Sequence, residues 1–275
     1  VVEDPGIDPE EDWAEDAVGR AVSHSVSAYL PEDSRLEIRC RTLEKKLSRL
    51  GARFGLISRV SYKRRDDEDW AHAWKAYFWP QKISRRLVVK PTWRDYTPAS
   101  DDIIIELDPG MAFGTGTHPT TALCAAMIEA YLDKGNCFLD VGTGSGILMI
   151  AAARLGAARV CGIDNDETAV QVAAANLELN AIQPHRFEVR AANLIDETSD
   201  TYDIIAANIL THVILDLIGD IRRVLNPGGV FICSGIIEKK QPQVTRALQN
   251  IGFDILETAV KEEWVAIASR LKAKG

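Results

Sequence analysis

Two glycine tracts stand close together in this chain: DPGMAFGTGTHPTT at residues 108–121 and DVGTGSGIL at residues 140–148. The second tract opens with Asp140, followed by Gly142, Gly144 and Gly146. Glycines let a chain turn tightly and bring its backbone against a ligand with no Cβ between them. The dinucleotide fingerprint is G-x-G-x-x-G, whereas the spacing here is G-x-G-x-G. A carboxylate two residues before the first glycine would also oppose a pyrophosphate. It suits a ligand carrying an ammonium and a sulfonium, and S-adenosylmethionine carries both. Asp164 closes the next strand-like run, where a carboxylate can accept hydrogen bonds from both hydroxyls of an adenosine ribose. The competing readings are a nicotinamide or flavin dinucleotide and a purely structural turn. The order strand, acid, glycines, helix, strand, acid favours the S-adenosyl donor, with S-adenosylhomocysteine as its product.

Two asparagines extend the constellation. Asn193, after a later strand-like run, falls where an adenine contact is expected; the alternative is a polar loop residue. Asn208 ends the run YDIIAANIL, and a residue at the carboxyl end of such a strand faces the ligand crevice of a wound sheet. In the first tract, Pro119 fits the first turn of a helix TTALCAAMIEAYL. Thr121 is expected to bring a hydroxyl and a backbone N–H near the methionine end of the donor. Phe113 to Thr121 would lie against the cofactor and the target, or else form a rigid packing loop. His118 is either a base or an exposed residue at the helix start. Glu262, Glu263 and Trp264 would border a target channel, or form a solvated strand end with one packed indole.

The elements that must hold these residues are legible from residue 136 onward. CFLDV, RVCGID, RFEVRAA, YDIIAANI and VFICSGII read as strands. ILMIAAARL, TAVQVAAANLELN, VILDLIGDIRRVL (ending at NPGG) and QVTRALQNIG read as helices. DILETAV and WVAIASRL read as an antiparallel pair. Strand-length apolar runs alternating with helical patterns predict a mostly parallel sheet covered on both faces. The first 100 residues lack regular crossovers and predict a small α+β domain. In it SHSVSAYL reads as a strand, RLEIRCRTLEKKLSRLG as a helix closing at Gly51, and FGLISRVSYK as a strand. DDEDWAHAWKAYFWP reads as a connecting helix, its acids favouring the N-terminus and Trp70, Trp74 and Phe78 forming an apolar stripe for packing. RRLVVKPTW and DIIIELDPG are two more strands.

Taken together, LDPGMAFGTGTHPTT, LDVGTGSGILMIAAARLGA, GIDND, AANIL and EEWVAI closely resemble the ribosomal protein L-11 methyltransferase (PrmA) family, from about Trp70 to the C-terminus. FGTGTHPTT is the most specific of these signatures; the G-x-G-x-G tract alone marks only the broad methyltransferase class. The resemblance implies a substrate-recognition α+β domain (ferredoxin-like, truncated) over residues 1–64. A linker helix over 65–80 and a seven-stranded Rossmann-like class I methyltransferase domain over 81–275 would follow. It implies methylation of lysine ε-amines and of the N-terminal α-amine of ribosomal protein L-11. Carried over by motif, the cofactor contacts fall on Thr121, Gly142, Asp164 and Asn208; the residues themselves add Asp140, Gly144 and Asn193. Asn208 and Thr121 are the residues expected to act on the reaction. Many amino-methyltransferases carry Asn-Pro-Pro-Tyr where this chain has Asn208-Ile209-Leu210-Thr211. Without that stacking platform, an aliphatic amine in a narrow channel is expected rather than a planar base. The family's recognition domain usually opens with a further strand and helix, expected to be absent before Val1. The rival readings are a related protein-lysine methyltransferase with another target, such as the electron-transfer flavoprotein β subunit, and a non-catalytic donor-binding module.

Bulk properties trim the alternatives. The 275 residues carry a net charge of −8, with 46% hydrophobic and 26% charged residues. An acidic chain lacks the basic face that broad nucleic-acid binding needs. No apolar run reaches the roughly 20 residues of a membrane helix. The five cysteines show no metal-ligand spacing and read as free thiols of a cytoplasmic protein. No metal is expected, and the sequence assigns no oligomeric state.

Overall fold

The computed structural model describes residues 2–3, 25–26, 36–55, 59–62, 78–108, 118–195 and 200–272. The chain divides into two compact units, Val1–Asp67 and Glu68–Gly275.

In the first unit, β1 (Val2–Glu3) pairs antiparallel with β2 (Ser25–Val26), and α1 spans Leu36–Phe54. The helix does not close at Gly51. It runs through that residue, at a cost of about 1 kcal/mol for an interior glycine, to Gly55 at φ +67°. A left-handed glycine is the usual helix stop. The strand expected from Phe54 is therefore displaced: Phe54 belongs to α1, and residues 59–62 are irregular. The ferredoxin-like expectation, Trp70, Trp74 and most of the connecting helix lie outside the described residues.

The second unit contains the seven-stranded sheet. Its strands are β6 (Cys137–Val141), β7 (Arg159–Asp164), β8 (Phe187–Ala191), β9 (Tyr202–Asn208), β10 (Leu225–Ile237), β11 (Phe253–Lys261) and β12 (Trp264–Leu271). Their spatial order is β11-β12-β10-β9-β6-β7-β8. All neighbours are parallel except at β12, which runs antiparallel to both β10 and β11. The expected doubly wound architecture is the one observed. The chain leaves β6 toward β7 on one side and returns to β9 on the other, so the switch point lies between β6 and β9. In such sheets the ligand crevice opens there, at the carboxyl ends of the strands.

The helices are α2 (Pro119–Tyr131), α3 (Ile147–Leu155), α4 (Glu167–Leu179), α5 (Thr211–Val224) and α6 (Gln241–Asn250). Alternation along the central strands separates two cores. Phe138, Ile204 and Ala206 pack with α2 and α3, while Leu139, Ile205 and Ala207 pack with α5. In α5, Ile214, Leu217, Ile218, Ile221 and Val224 form one buried stripe at helical spacing. NPGG ends this helix but also belongs to β10: Leu225 pairs with Tyr202, and the register shifts before Val230.

A separate small sheet, β3 (Gln81–Lys82), β4 (Leu87–Pro91) and β5 (Ile103–Leu107), packs Leu87, Val89, Ile105 and Leu107 into the α2–α3 core. Glu129 of α2 binds its β3–β4 turn, accepting from Ser84 Oγ at 2.6 Å and Arg86 Nε at 2.6 Å. Cys124, Cys161 and Cys233 are buried, and Cys40 and Cys137 are half-buried; all are free thiols.

Candidate active site

The carboxyl end of β6 turns directly into the second glycine tract. Gly142 and Gly144 have φ of +75° and +53°, a region that disfavours every residue with a Cβ. The N–H groups of Gly142 and Thr143 donate to the Ile163 carbonyl of β7 at 2.8 and 3.0 Å. Gly146, at φ +80°, is the N-cap of α3. The turn thereby delivers the chain into a helix whose N-terminus faces the crevice.

Asp140 lies inside the sheet, 1% exposed, on the same face as Phe138. Its Oδ2 accepts from the Thr143 hydroxyl at 2.8 Å, whereas its Oδ1 is buried without a hydrogen-bond partner. Burial pushes its pKa up to about 7; the Thr143 hydrogen bond opposes this, and the charge of Asp164 adds to it. An orphaned carboxylate oxygen costs free energy unless a cation or donor meets it.

Asp164 ends β7. Its Oδ2 accepts from the Gly144 N–H at 2.9 Å and its Oδ1 from the Asp166 N–H at 3.1 Å. These bonds hold the carboxylate plane, and each oxygen retains a further lone pair. Asp166 itself caps α4, accepting from Thr168 N–H at 2.8 Å.

Asn208, half-buried, ends β9 next to the switch point. Its Nδ2 donates to Thr121 Oγ1 at 3.4 Å, which joins the end of β9 to the start of α2. Thr121 is 1% exposed. Its backbone N–H is bonded to the His118 carbonyl at 3.0 Å. The side chain lines the recess described below, whereas the N–H is taken by the His118 carbonyl. His118 is half-buried rather than exposed. Its Nδ1 caps α2, meeting the Thr120 N–H at 3.3 Å and the Thr120 hydroxyl at 2.7 Å. Its ring meets the Trp264 ring edge-on, with centroids 4.9 Å apart.

Thr121, Asp140, Gly142, Gly144 and Asn208 line one open recess, together with Thr143, Ile147 and Leu148. Asp164 borders it through Gly144. Asn193 is exposed on the turn after β8, at the same edge of the sheet but outside this recess. Glu262 (φ +58°) and Glu263 form the two-residue turn between β11 and β12. Trp264, which follows them, stands beside His118. Residues 109–117 of the first tract lie outside the described residues.

Two contributors escaped the sequence. Thr143 sits three residues after Asp140, a spacing at which a hydroxyl can fold back onto a carboxylate, so it could have been found. Ile209 could not: its side chain occupies the space that a Cβ on Gly142 would need, and its carbonyl the space beside Gly235.

The residues present fit S-adenosylmethionine. A buried carboxylate with an unmatched oxygen suits a cation, a turn without Cβ atoms permits close approach, and an oriented carboxylate one strand away suits a ribose. Among the described residues, no group of three or more His, Cys, Asp or Glu side chains could hold a metal ion.

The model of the family described as ribosomal protein L11 methyltransferase (PrmA) matches residues 1–272. A ribosomal protein L11 methyltransferase of Desulfosudis oleivorans is 49% identical over 247 residues, covering 89% of this chain and 82% of that one. One of Desulforapulum autotrophicum is 44% identical over 271 residues, covering 98% and 88%. Among solved structures, a ribosomal protein L11 methylase of Lactobacillus delbrueckii subsp. bulgaricus superposes with a TM-score of 0.66 at 38% identity, covering 70% of this chain and 98% of that one.

Proposed function

The chain belongs to the ribosomal protein L11 methyltransferase (PrmA) family and is an S-adenosylmethionine-dependent protein methyltransferase; from that premise we propose that it methylates lysine ε-amines and the N-terminal α-amine of ribosomal protein L11. The observation that carries the assignment of the site is the recess at the switch point, floored by a buried carboxylate with one unmatched oxygen.

In this reading Asp140 faces the donor's positive end and Asp164 its ribose hydroxyls. Asn193 reaches the adenine from the β8 side. Gly142 and Gly144 let the backbone approach. The bound donor supplies an electrophilic methyl on a sulfonium. The protein's task is then to align a nucleophile with it.

The nucleophile must be a neutral amine. A free lysine, with a pKa near 10.4, is neutral in only about one part in 10³ at pH 7, a cost of roughly 4.6 kcal/mol. Partial burial and a nearby positive charge both lower that pKa, so no strong base is required. Asn208 presents its Nδ2 to Thr121, which leaves its amide oxygen to accept an amine N–H and turn the lone pair. In this reading Trp264, whose ring meets that of His118 near the start of α2, borders the path of the amine. The absence of a Pro-Pro-Tyr platform after Asn208 favours a flexible aliphatic amine over a planar base.

With such a target the enzyme works in the cytoplasm; among the described residues no helix is long and apolar enough to cross a membrane. Incubation with isotopically labelled S-adenosylmethionine and, in parallel, purified ribosomal protein L11 or purified electron-transfer flavoprotein β subunit tests the proposal. Label on its lysines and N-terminus is expected. Label only on the electron-transfer flavoprotein β subunit would reassign the target, and donor binding without transfer to either protein would reduce the chain to a binding module.

A further inference from the structure

We propose that Asn176, in the middle of α4, is a positioning residue for donor binding, tying the glycine turn to the end of β5. The inference rests on the reading that the recess at Gly142–Gly144 takes S-adenosylmethionine.

Asn176 is 3% exposed, and its side chain makes two long-range hydrogen bonds. Its Nδ2 donates to the Ser145 carbonyl at 2.9 Å, and its Oδ1 accepts from the Asp108 N–H at 3.2 Å. Both partners are backbone groups outside the helical and strand ladders. Ser145 precedes the N-cap of α3, so its carbonyl falls outside the helical ladder. Asp108 follows the last ladder pair of β5, Pro91–Leu107. A side-chain amide fits this pair of demands because it offers one donor and one acceptor on a planar group. The neighbouring contact is equally specific: a Cβ on Gly146 would come within 3.1 Å of Ala173, one turn before Asn176. Helix α4 therefore abuts the glycine turn through a small residue and grips it through an amide.

Asp108 opens the first glycine tract, and Ser145 lies inside the second. Asn176 is thus a direct physical link between the two. A shift of the Ser145 carbonyl would be felt one residue away, at Gly144, whose N–H orients Asp164.

Asn180, one turn further along α4, serves as an internal control. Its Oδ1 accepts from the Glu106 N–H at 3.0 Å, and its Nδ2 donates to the Glu106 carbonyl at 2.6 Å and to the backbone carbonyl of Asn176 at 2.8 Å. It ties the same helix to the same strand, but it makes no contact with the glycine turn.

The test compares Asn176→Asp with Asn180→Asp in the full chain. Asn176→Asp retains the acceptor for Asp108 and loses the donor to Ser145. Donor affinity is read by calorimetry, KM for the donor and kcat with saturating protein substrate, and stability by thermal unfolding. Both variants should unfold at lower temperature. Only Asn176→Asp should also weaken S-adenosylmethionine binding, by about tenfold, with kcat changed far less. Asn176→Ser serves under the same criterion if the aspartate variant does not fold. Asn176→His, which can still donate, should recover part of the affinity. Wild-type donor affinity in the Asn176 variants, or an equal loss in Asn180→Asp, overturns the proposal. If instead Asp164→Ala binds donor as the wild type does, it is the assignment of the recess that fails.

Discussion

The backbone N–H of Gly144 donates to Oδ2 of Asp164 at 2.9 Å, so the glycine turn after β6 and the acid that ends β7 form one unit. Neither can move without the other. The acid is held before any ligand arrives, which lowers the ordering cost of binding.

Asp164→Ala should therefore weaken S-adenosylmethionine binding by about 1–3 kcal/mol, the range for losing hydrogen bonds to a charged acceptor. Calorimetry at fixed pH and salt measures it. An unchanged affinity would remove Asp164 from the site.

Asn208→Ala separates binding from transfer. Asn208 bridges β9 to Thr121, and in the proposed reading its amide oxygen accepts from the incoming amine. Its removal should slow single-turnover transfer by more than it lowers donor affinity. Wild-type turnover in this variant would discard the amine-positioning role.

Asp140 makes a pH-dependent contribution whose sign follows from its burial. Its pKa is raised from the ordinary 3.8 to about 7 in the folded chain. Between those values the folded state holds a proton that the unfolded state has lost, so the contribution to stability falls as pH rises from about 4 to 7. Thermal unfolding of the donor-free protein should show this slope, and Asp140→Asn should remove it. A cationic donor favours the ionised form, so its binding should strengthen from pH 6 to pH 8 and release a proton. Calorimetry in two buffers of different ionisation enthalpy reads that proton. Asp102, held low at about 2 by Lys82, Tyr96 and the Ala99 N–H, titrates below this window and does not obscure it.

Gly142→Ala compared with Gly252→Ala isolates the role of the turn. Both glycines have positive φ, but a Cβ at 252 meets nothing within 4 Å, whereas one at 142 runs into Ile209. Gly252→Ala should cost about 1–2 kcal/mol from backbone strain alone. Gly142→Ala should cost more and should also weaken donor binding. Equal losses in denaturant unfolding would show that Ile209 gives way freely.

The sheet, the acid–glycine turn and the placing of Asp164 at the end of β7 were legible because each is written locally. Strand-length apolar runs alternate with helical patterns, and the acids and glycines sit at the strand ends. Where local signals competed, the reading slipped: Gly51 looked like a helix stop, yet α1 continues to the glycine at 55. Likewise Thr121 was expected to turn both its hydroxyl and its N–H toward a ligand, but its N–H is taken by the His118 carbonyl in the first turn of α2.

By itself, then, the sequence determined the strands and helices of the seven-stranded sheet, the acids and glycines at their ends, and what kind of ligand those ends suit. Tertiary structure alone decided that Asn208 meets Thr121, that Trp264 meets His118, and that Asn176 grips both Ser145 and Asp108. The physical reason is the range of the interaction. Periodicity reports which face of an element is buried, but a hydrogen bond between distant residues depends on which strands become neighbours and in what register.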